Sequence, residues 1–255
     1  MESSAKDPGR DGASTGLVKA EKRENGVAII TINRPQALNA LTKGMLTDLA
    51  NFIKALDTDS NVKVIILTGA GRAFCSGVDL TAAQDVFKGD VRNKDIDPVI
   101  QMEACSKPII GAVNGFAVTA GFEIALACDI LVASKDAKFV DTHCKFGIFP
   151  SWGLSQKLPR IIGVNRAKEI SWTAKPLDAL TAERWGLVNK VVEPKEVLDT
   201  AIGIGEAIVQ NQQDMVVRYK GVINDGFKLS LGDGAALEKV KILILFGTAI
   251  KLKIH

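Results

Sequence analysis

The sequence predicts an α/β fold built on a parallel sheet, and three observations carry that expectation. Strand-like and helix-like patterns alternate through the first two thirds of the chain, as in folds where helices connect parallel strands. Two of the strand-like segments, beginning at Val62 and Pro108, are apolar almost throughout, as strands covered on both faces are. Both run into a glycine-containing stretch, where the chain turns toward the next element.

In order, Val27 to Asn33 (VAIITIN) is a β-branched run closed by Arg34-Pro35, which predicts a strand ending in a turn. Leu41, Met45, Leu49, Phe52, Ile53 and Leu56 recur at spacings of three and four, the mark of a helix with one apolar face. Val62 to Thr68 (VKVIILT) is the second strand, ended by Gly69. A third unit starts at Pro108, where IIGAVNG leads through a turn to a helix from Ala120 or Gly121 to about Cys128. Ile130 to Ala133 and Phe139-Val140 predict two short strands. From Gln156 onward helical patterns dominate, at Arg166 to Trp172, Ala182 to Gly186, Leu198 to Gln210 and Met215 to Asn224. The expected organisation is a flexible leader over 1–16, an α/β core over 17–195, and a helical C-terminal region over 196–255 with an atypical tail.

Composition narrows the function classes. A chain of 255 residues, 47% hydrophobic and 24% charged, is long enough to bury a large core, and neither disorder nor a coiled coil fits its bulk. The leader, rich in Ser, Gly, Asp and Lys, is the exception. A net charge of +3 without a basic stripe argues against nucleic acid as a partner. Cys75, Cys105, Cys128 and Cys144 form no CxxC pair and only His143 and His255 accompany them, so neither a structural metal nor a disulfide scaffold is expected. Cys75 and Cys128, in apolar surroundings, read as small core residues. The longest apolar run, Ile242 to Phe246, is far short of a membrane span, and no secretory segment follows Met1.

Four segments resemble the crotonase, or enoyl-CoA hydratase/isomerase, superfamily: NRPQALNAL (Asn33 to Leu41), GAGRAFCSGVDL (Gly69 to Leu80), AVNGFAVTAGFEIALACDI (Ala112 to Ile130) and GLVNKVV (Gly186 to Val192). Their order and spacing match together, over roughly Gly26 to Asp225, and the stretch Lys145 to Gly153 is similar to that of plant enoyl-CoA hydratase-like proteins. The resemblance implies repeated ββα units wound into a spiral core, followed by a C-terminal helical subdomain. It also implies an acyl-CoA thioester as ligand. Coenzyme A then enters as part of the substrate, and no separate cofactor is needed.

Hydrating or deprotonating an acyl thioester puts negative charge on its carbonyl oxygen, and each preorganised N–H aimed there is worth about 3 kcal/mol. The resemblance places two such donors at the amides of Val78 and Ala120. Ala120 stands where relatives usually carry Gly, a tolerable change where the backbone does the work. The simpler alternative is a pair of tight turns.

Glu123 falls one turn into the same helix and matches one of the two catalytic glutamates of the hydratases. Burial among Phe122, Ile124 and Phe116 would raise its pKa toward neutrality and suit it to acid–base work, whereas an exposed first-turn Glu would only complement the helix dipole. At the position of the second glutamate this chain has His143, an imidazole able to take one of the two roles or simply a solvated loop residue. Asp141 is the alternative acid.

By resemblance, Gln36, Ala37 and Leu38 together with Ser76, Val78, Asp79 and Leu80 line the path of the CoA moiety. Arg34 and Arg72 are candidates for its phosphates or ordinary surface charges. Relatives end in helices that build trimers, commonly paired into hexamers. Here the sequence after Lys239, VKILILFGTAIKLKIH, is β-branched with little helical amphipathicity and reads as an alternative or truncated ending. It closes on Lys253-Ile254-His255 and not on a Ser-Lys-Leu address, so peroxisome and cytosol both stay open. Three activities remain: hydration of a 2-enoyl-CoA in β-oxidation or related acyl-CoA metabolism, Δ3-Δ2 isomerisation of an enoyl-CoA, and non-catalytic acyl-CoA binding.

Overall fold

The computed structural model describes residues 14–79 and 94–252, the segment 244–252 as backbone alone. Residues 1–13 of the expected leader, Leu80 of the expected CoA path and the terminal Lys253 to His255 lie outside the described residues.

Two sheets organise the molecule. The larger has six strands in the order β1-β2-β3-β5-β7-β10: β1 (Val18–Lys22), β2 (Val27–Ile32), β3 (Val64–Gly69), β5 (Ile109–Val113), β7 (Ile130–Ser134) and β10 (Lys190–Val192). All pairings within it are parallel except β1 with β2. The smaller sheet has the order β4-β6-β8-β9, from β4 (Ala73–Cys75), β6 (Phe116–Val118), β8 (Lys138–Val140) and β9 (Leu177–Asp178). Successive strands therefore alternate between sheets: β3 then β4, β5 then β6, β7 then β8. Each pair is one turn of a ββα spiral.

The helices follow from their sequences. Helix α1 (Lys43–Thr58) begins at Thr42, whose hydroxyl accepts from the Met45 amide, and it buries Met45, Leu49, Ile53 and Leu56 against the large sheet. Helix α2 (Pro98–Ala104) has Pro at its first position and Asp97 as a cap accepting from the amides of Val99 and Ile100. Helix α3 (Ala120–Leu126) is buried along its whole length. Helices α4 (His143–Phe146), α5 (Leu154–Ile162), α6 (Val164–Thr173) and α7 (Ala179–Arg184) close the smaller sheet's side.

The opposite face of the large sheet is covered by α8 (Val197–Val209). Val197, Ala201 and Ile202 pack on Val27, Ile29, Val64, Ile66, Ile110, Ala112 and Val132, which explains why these strands are apolar on both faces. After it come α9 (Gln213–Gly226) and α10 (Leu231–Leu252), packed on each other.

The stretch VKILILFGTAIKL, which shows little helical amphipathicity in the sequence, continues α10 as helix through Leu252. Ser230 caps the helix, its hydroxyl accepting from the Asp233 amide and donating to the Asp233 carboxylate. β-branched residues lower helix propensity by only tenths of a kcal/mol each, which such a start outweighs.

Candidate active site

The site forms where β4, β6 and α3 meet. After β4 the loop Ser76-Gly77-Val78-Asp79 runs beside the turn that carries Gln36, Ala37 and Leu38. The Ser76 amide donates to the Leu38 carbonyl at 3.0 Å, the Leu41 amide to the Gly77 carbonyl at 2.8 Å, and the Asp79 amide to the Leu41 carbonyl at 2.9 Å. Two segments some forty residues apart in the chain are thus joined as one wall. Buried Asn39 holds the turn from inside, its Nδ2 donating to the carbonyls of Ala70 and Ala73. Sequence reasoning passed over it.

That short ladder also orients Val78. Consecutive amides along an extended chain point to opposite sides. Because Asp79 donates to Leu41, the N–H of Val78 points away from Leu41. Ala120 is the first residue of α3, so its N–H has no acceptor within the helix. The two loops touch at Gly77: a Cβ there would lie 3.2 Å from the Val118 carbonyl oxygen and 3.9 Å from the Ala120 nitrogen, and Gly77 has φ of +105°.

Thr119, just before α3, is held at φ 50°, ψ −110°, a conformation costly for a β-branched residue. Its amide donates to the Val140 carbonyl at 2.8 Å, and its hydroxyl hydrogen-bonds the Thr142 hydroxyl. Gly121 then packs backbone to backbone on β4, where a Cβ would fall 2.1 Å from the Cys75 carbonyl oxygen. Only glycine fits, and the start of α3 is clamped to both neighbouring segments.

Glu123, Asp141 and His143 come together and are 2%, 2% and 5% exposed. Glu123 is therefore not an exposed dipole partner, nor is His143 a solvated loop residue; His143 opens α4. Of the apolar neighbours expected around Glu123, Phe122 and Ile124 are buried, but Phe116 is 43% exposed.

His143 Nε2 lies 3.7 Å from Glu123 Oε2, and His143 Nδ1 lies 2.6 Å from Asp141 Oδ1. The other Glu123 oxygen, Oε1, accepts from the amides of Trp152 at 2.8 Å and Leu154 at 3.3 Å. Burial drives the Glu123 carboxyl above its usual range, against those amides and the nearby imidazole, which pull it down. For Asp141 burial also acts upward, but hydrogen bonds from the His143 ring, Ser171 and the His143 amide outweigh it and hold the carboxyl below its usual range.

Asp97, Trp152 and Ser171 were not singled out from the sequence. Trp152 Nε1 donates to Asp97 Oδ2 at 3.0 Å, which ties the cap of α2 to the segment clamping Glu123. The capping motif Asp97-Pro98 is visible as a helix start, but its reach to Trp152 is not.

Arg34 is engaged: its Nη1 pairs with Asp79 Oδ2 at 2.5 Å and donates to the Ala40 carbonyl at 3.0 Å. It braces the wall, while Arg72 is exposed. The cysteines are free, and burial pushes the Cys75 thiol up to about 12 and raises Cys128 as well, which suits core residues and not nucleophiles. Among the described residues no helix is long and apolar enough to cross a membrane.

Residues 22–243 match the enoyl-CoA hydratase/isomerase family. The chain is 62% identical over 226 residues to probable enoyl-CoA hydratase 1, peroxisomal, of Arabidopsis thaliana, covering 89% of this chain and 85% of that one. It is 40% identical to the short-chain-enoyl-CoA hydratase of Clostridium acetobutylicum, over 85% of each chain. Among solved structures, an enoyl-CoA hydratase from Bacillus anthracis superposes with a TM-score of 0.83 at 33% identity over 89% of each chain. One from Mycobacterium marinum gives 0.82 at 35% identity, covering 93% of this chain and 92% of that one.

Proposed function

The chain belongs to the enoyl-CoA hydratase/isomerase family, and from that premise we propose that it adds water reversibly across the double bond of a 2-enoyl-CoA to give a 3-hydroxyacyl-CoA. It is an enzyme of acyl-CoA metabolism, a hydro-lyase like the relatives that cover most of its length. The observation that carries the mechanism is the pair Glu123 and His143, buried and 3.7 Å apart at the foot of α3.

Two groups at that separation can both hydrogen-bond one water molecule at about 2.8 Å from each. Glu123 removes a proton as the water oxygen bonds to C3. The π electrons move toward the thioester carbonyl, where the amides of Val78 and Ala120 stabilise the enolate oxygen. His143 Nε2 delivers a proton to C2, and the proton now on Glu123 passes to the imidazole to restore the starting state. The raised Glu123 carboxyl supports this role, since a base whose pKa approaches the working pH both accepts and releases protons readily. Coenzyme A arrives with the substrate along the wall formed by Gln36 to Leu38 and Ser76 to Asp79, and the reaction needs no separate cofactor.

The oligomer proposed is a homotrimer or a pair of trimers, with α9 and α10 as contact elements. Their support is exposed apolar surface: Met215, Tyr219, Ile223, Phe227, Val240 and Leu243 are 44–70% exposed. The location proposed is the peroxisome, supported by the Arabidopsis relative's name, with the cytosol as the alternative.

The test is loss of the conjugated-enoyl absorbance when the protein meets crotonyl-CoA. Turnover supports hydration. Its absence, with double-bond migration in a 3-enoyl-CoA instead, replaces hydration by isomerisation.

A further inference from the structure

We propose that Asp141 is a positioning residue that fixes the His143 ring as the Nδ1–H tautomer, so that Nε2 faces Glu123 and the two facing groups share one mobile proton. The kinetic part of this inference rests on the hydration reading. The tautomer does not.

The geometry is specific. Asp141 Oδ1 accepts from the His143 backbone amide at 3.0 Å and lies 2.6 Å from Nδ1 of the same ring. A carboxylate held below its usual range stays an acceptor, so the Nδ1 it faces must carry the hydrogen. The amide contact fixes the carboxylate relative to the histidine backbone, and the Ser171 side chain on α6 hydrogen-bonds it as well. With one side of the ring committed, Nε2 is left to Glu123 Oε2, which among the described residues is the carboxylate oxygen paired with it, 3.7 Å away.

A neutral Nε2 presents a lone pair. Facing an ionised carboxylate it would oppose lone pair to lone pair in a buried space, at a cost. One proton on either partner removes the conflict, and moving it between them exchanges which is acid and which is base. In a two-carboxylate site like-charge repulsion enforces the single proton. Here Asp141 does so by closing the alternative tautomer, which would put a hydrogen on Nε2 of the neutral ring and leave an unprotonated Nδ1 against the Asp141 carboxylate.

The experiment is 15N NMR of histidine-labelled protein beside steady-state kinetics with crotonyl-CoA. The chain has two histidines, so a His255→Gln variant assigns the spectrum. The expected result is a protonated Nδ1 in the wild type. In Asp141→Asn the proton moves to Nε2, the position a free neutral histidine prefers, and kcat falls about 10²–10⁴-fold while KM changes little. Ser171→Ala, which removes one support of the same carboxylate, lowers kcat less and leaves the proton on Nδ1.

An unprotonated Nδ1 in the wild type overturns the proposal, as does an Asp141→Asn protein that keeps both the tautomer and kcat. If Asp141→Asn does not fold, the wild-type spectrum and Ser171→Ala still decide: an unaltered kcat in Ser171→Ala counts against it. A wild type with the expected tautomer but no hydratase turnover removes the hydration reading and leaves the positioning role standing.

Discussion

Helices α8 and α9 follow one another in the chain, and both carry apolar residues at helical spacing, yet they meet opposite fates. Helix α8 lays Val197, Ala201, Ile202 and Gly205 on the large sheet. No residue of helix α9 is fully buried: Met215, Tyr219, Ile223 and, just past its end, Phe227 are exposed at every fourth position. One link to the body is Lys220, whose Nζ reaches Asp129 Oδ2 at 2.7 Å and the Lys107 carbonyl at 2.8 Å. An amphipathic pattern thus announces an apolar stripe without saying what covers it.

If chemistry and stability reside in the spiral and the exposed hairpin serves contacts, substitutions should sort accordingly. The largest effect is expected of Glu123→Gln, which keeps an oxygen for the Trp152 and Leu154 amides but cannot accept a proton. Turnover of crotonyl-CoA should drop about 10²–10⁴-fold, read from initial rates. Ile66→Ala, beneath α8, should cost about 2–5 kcal/mol in urea unfolding by leaving a cavity between helix and sheet. A loss below 1 kcal/mol would break the claim that α8 belongs to the core.

The buried carboxyls give the next effect, in opposite directions. Because folding raises the Glu123 pKa, its contribution to stability is full below the ordinary glutamate value and is lost as pH rises through the raised one. Folding lowers that of Asp141, whose contribution is present above the ordinary aspartate value and lost as pH falls through the lowered one. Melting curves of the wild type and Glu123→Gln across pH 4 to 8 should therefore converge at the acid end and separate toward neutrality, with the variant the more stable. Trp152→Phe, which loses the bond to Asp97 and keeps the amide on Glu123, should cost about 1 kcal/mol in the same unfolding assay. Smallest of all, Ile223→Ser should shift protomer stability by no more than about 0.5 kcal/mol. Sedimentation should then show a smaller assembly; an unchanged assembly would remove α9 from the contact.

What could be read from the sequence divides along similar physical lines. Strands β2, β3, β5 and β7 and helices α1, α3 and α6 to α9 were legible because their apolar periodicity spans several residues. Strands β4 and β6 were not, since three residues such as Ala73-Phe74-Cys75 are too few to show alternation. The tail ending in α10 reads as atypical because its β-branched residues blur the helical pattern, and its Ser230 cap and its packing on α9 sustain the helix. At the site, Glu123, His143 and Asp141 stood in view, each with a plausible chemical task. Their meeting could not be seen, nor could the contacts with Trp152 and Ser171, because these join turns of the spiral that only the fold brings together.

The amides at Val78 and Ala120 carry a consequence of a different kind. No codon specifies an N–H, so the groups proposed to steady the enolate are beyond the reach of nearly every missense change at their own positions. Proline alone deletes them outright. Inheritance instead exposes them through neighbours, above all Gly121, where any side chain collides with the Cys75 carbonyl. A variant catalogue would record harmless changes at 78 and 120 beside damaging ones at 121, and would so mark the wrong residue as functional. Replacing the amides themselves by ester linkages, through chemical synthesis or ligation, is the way to ask what they do.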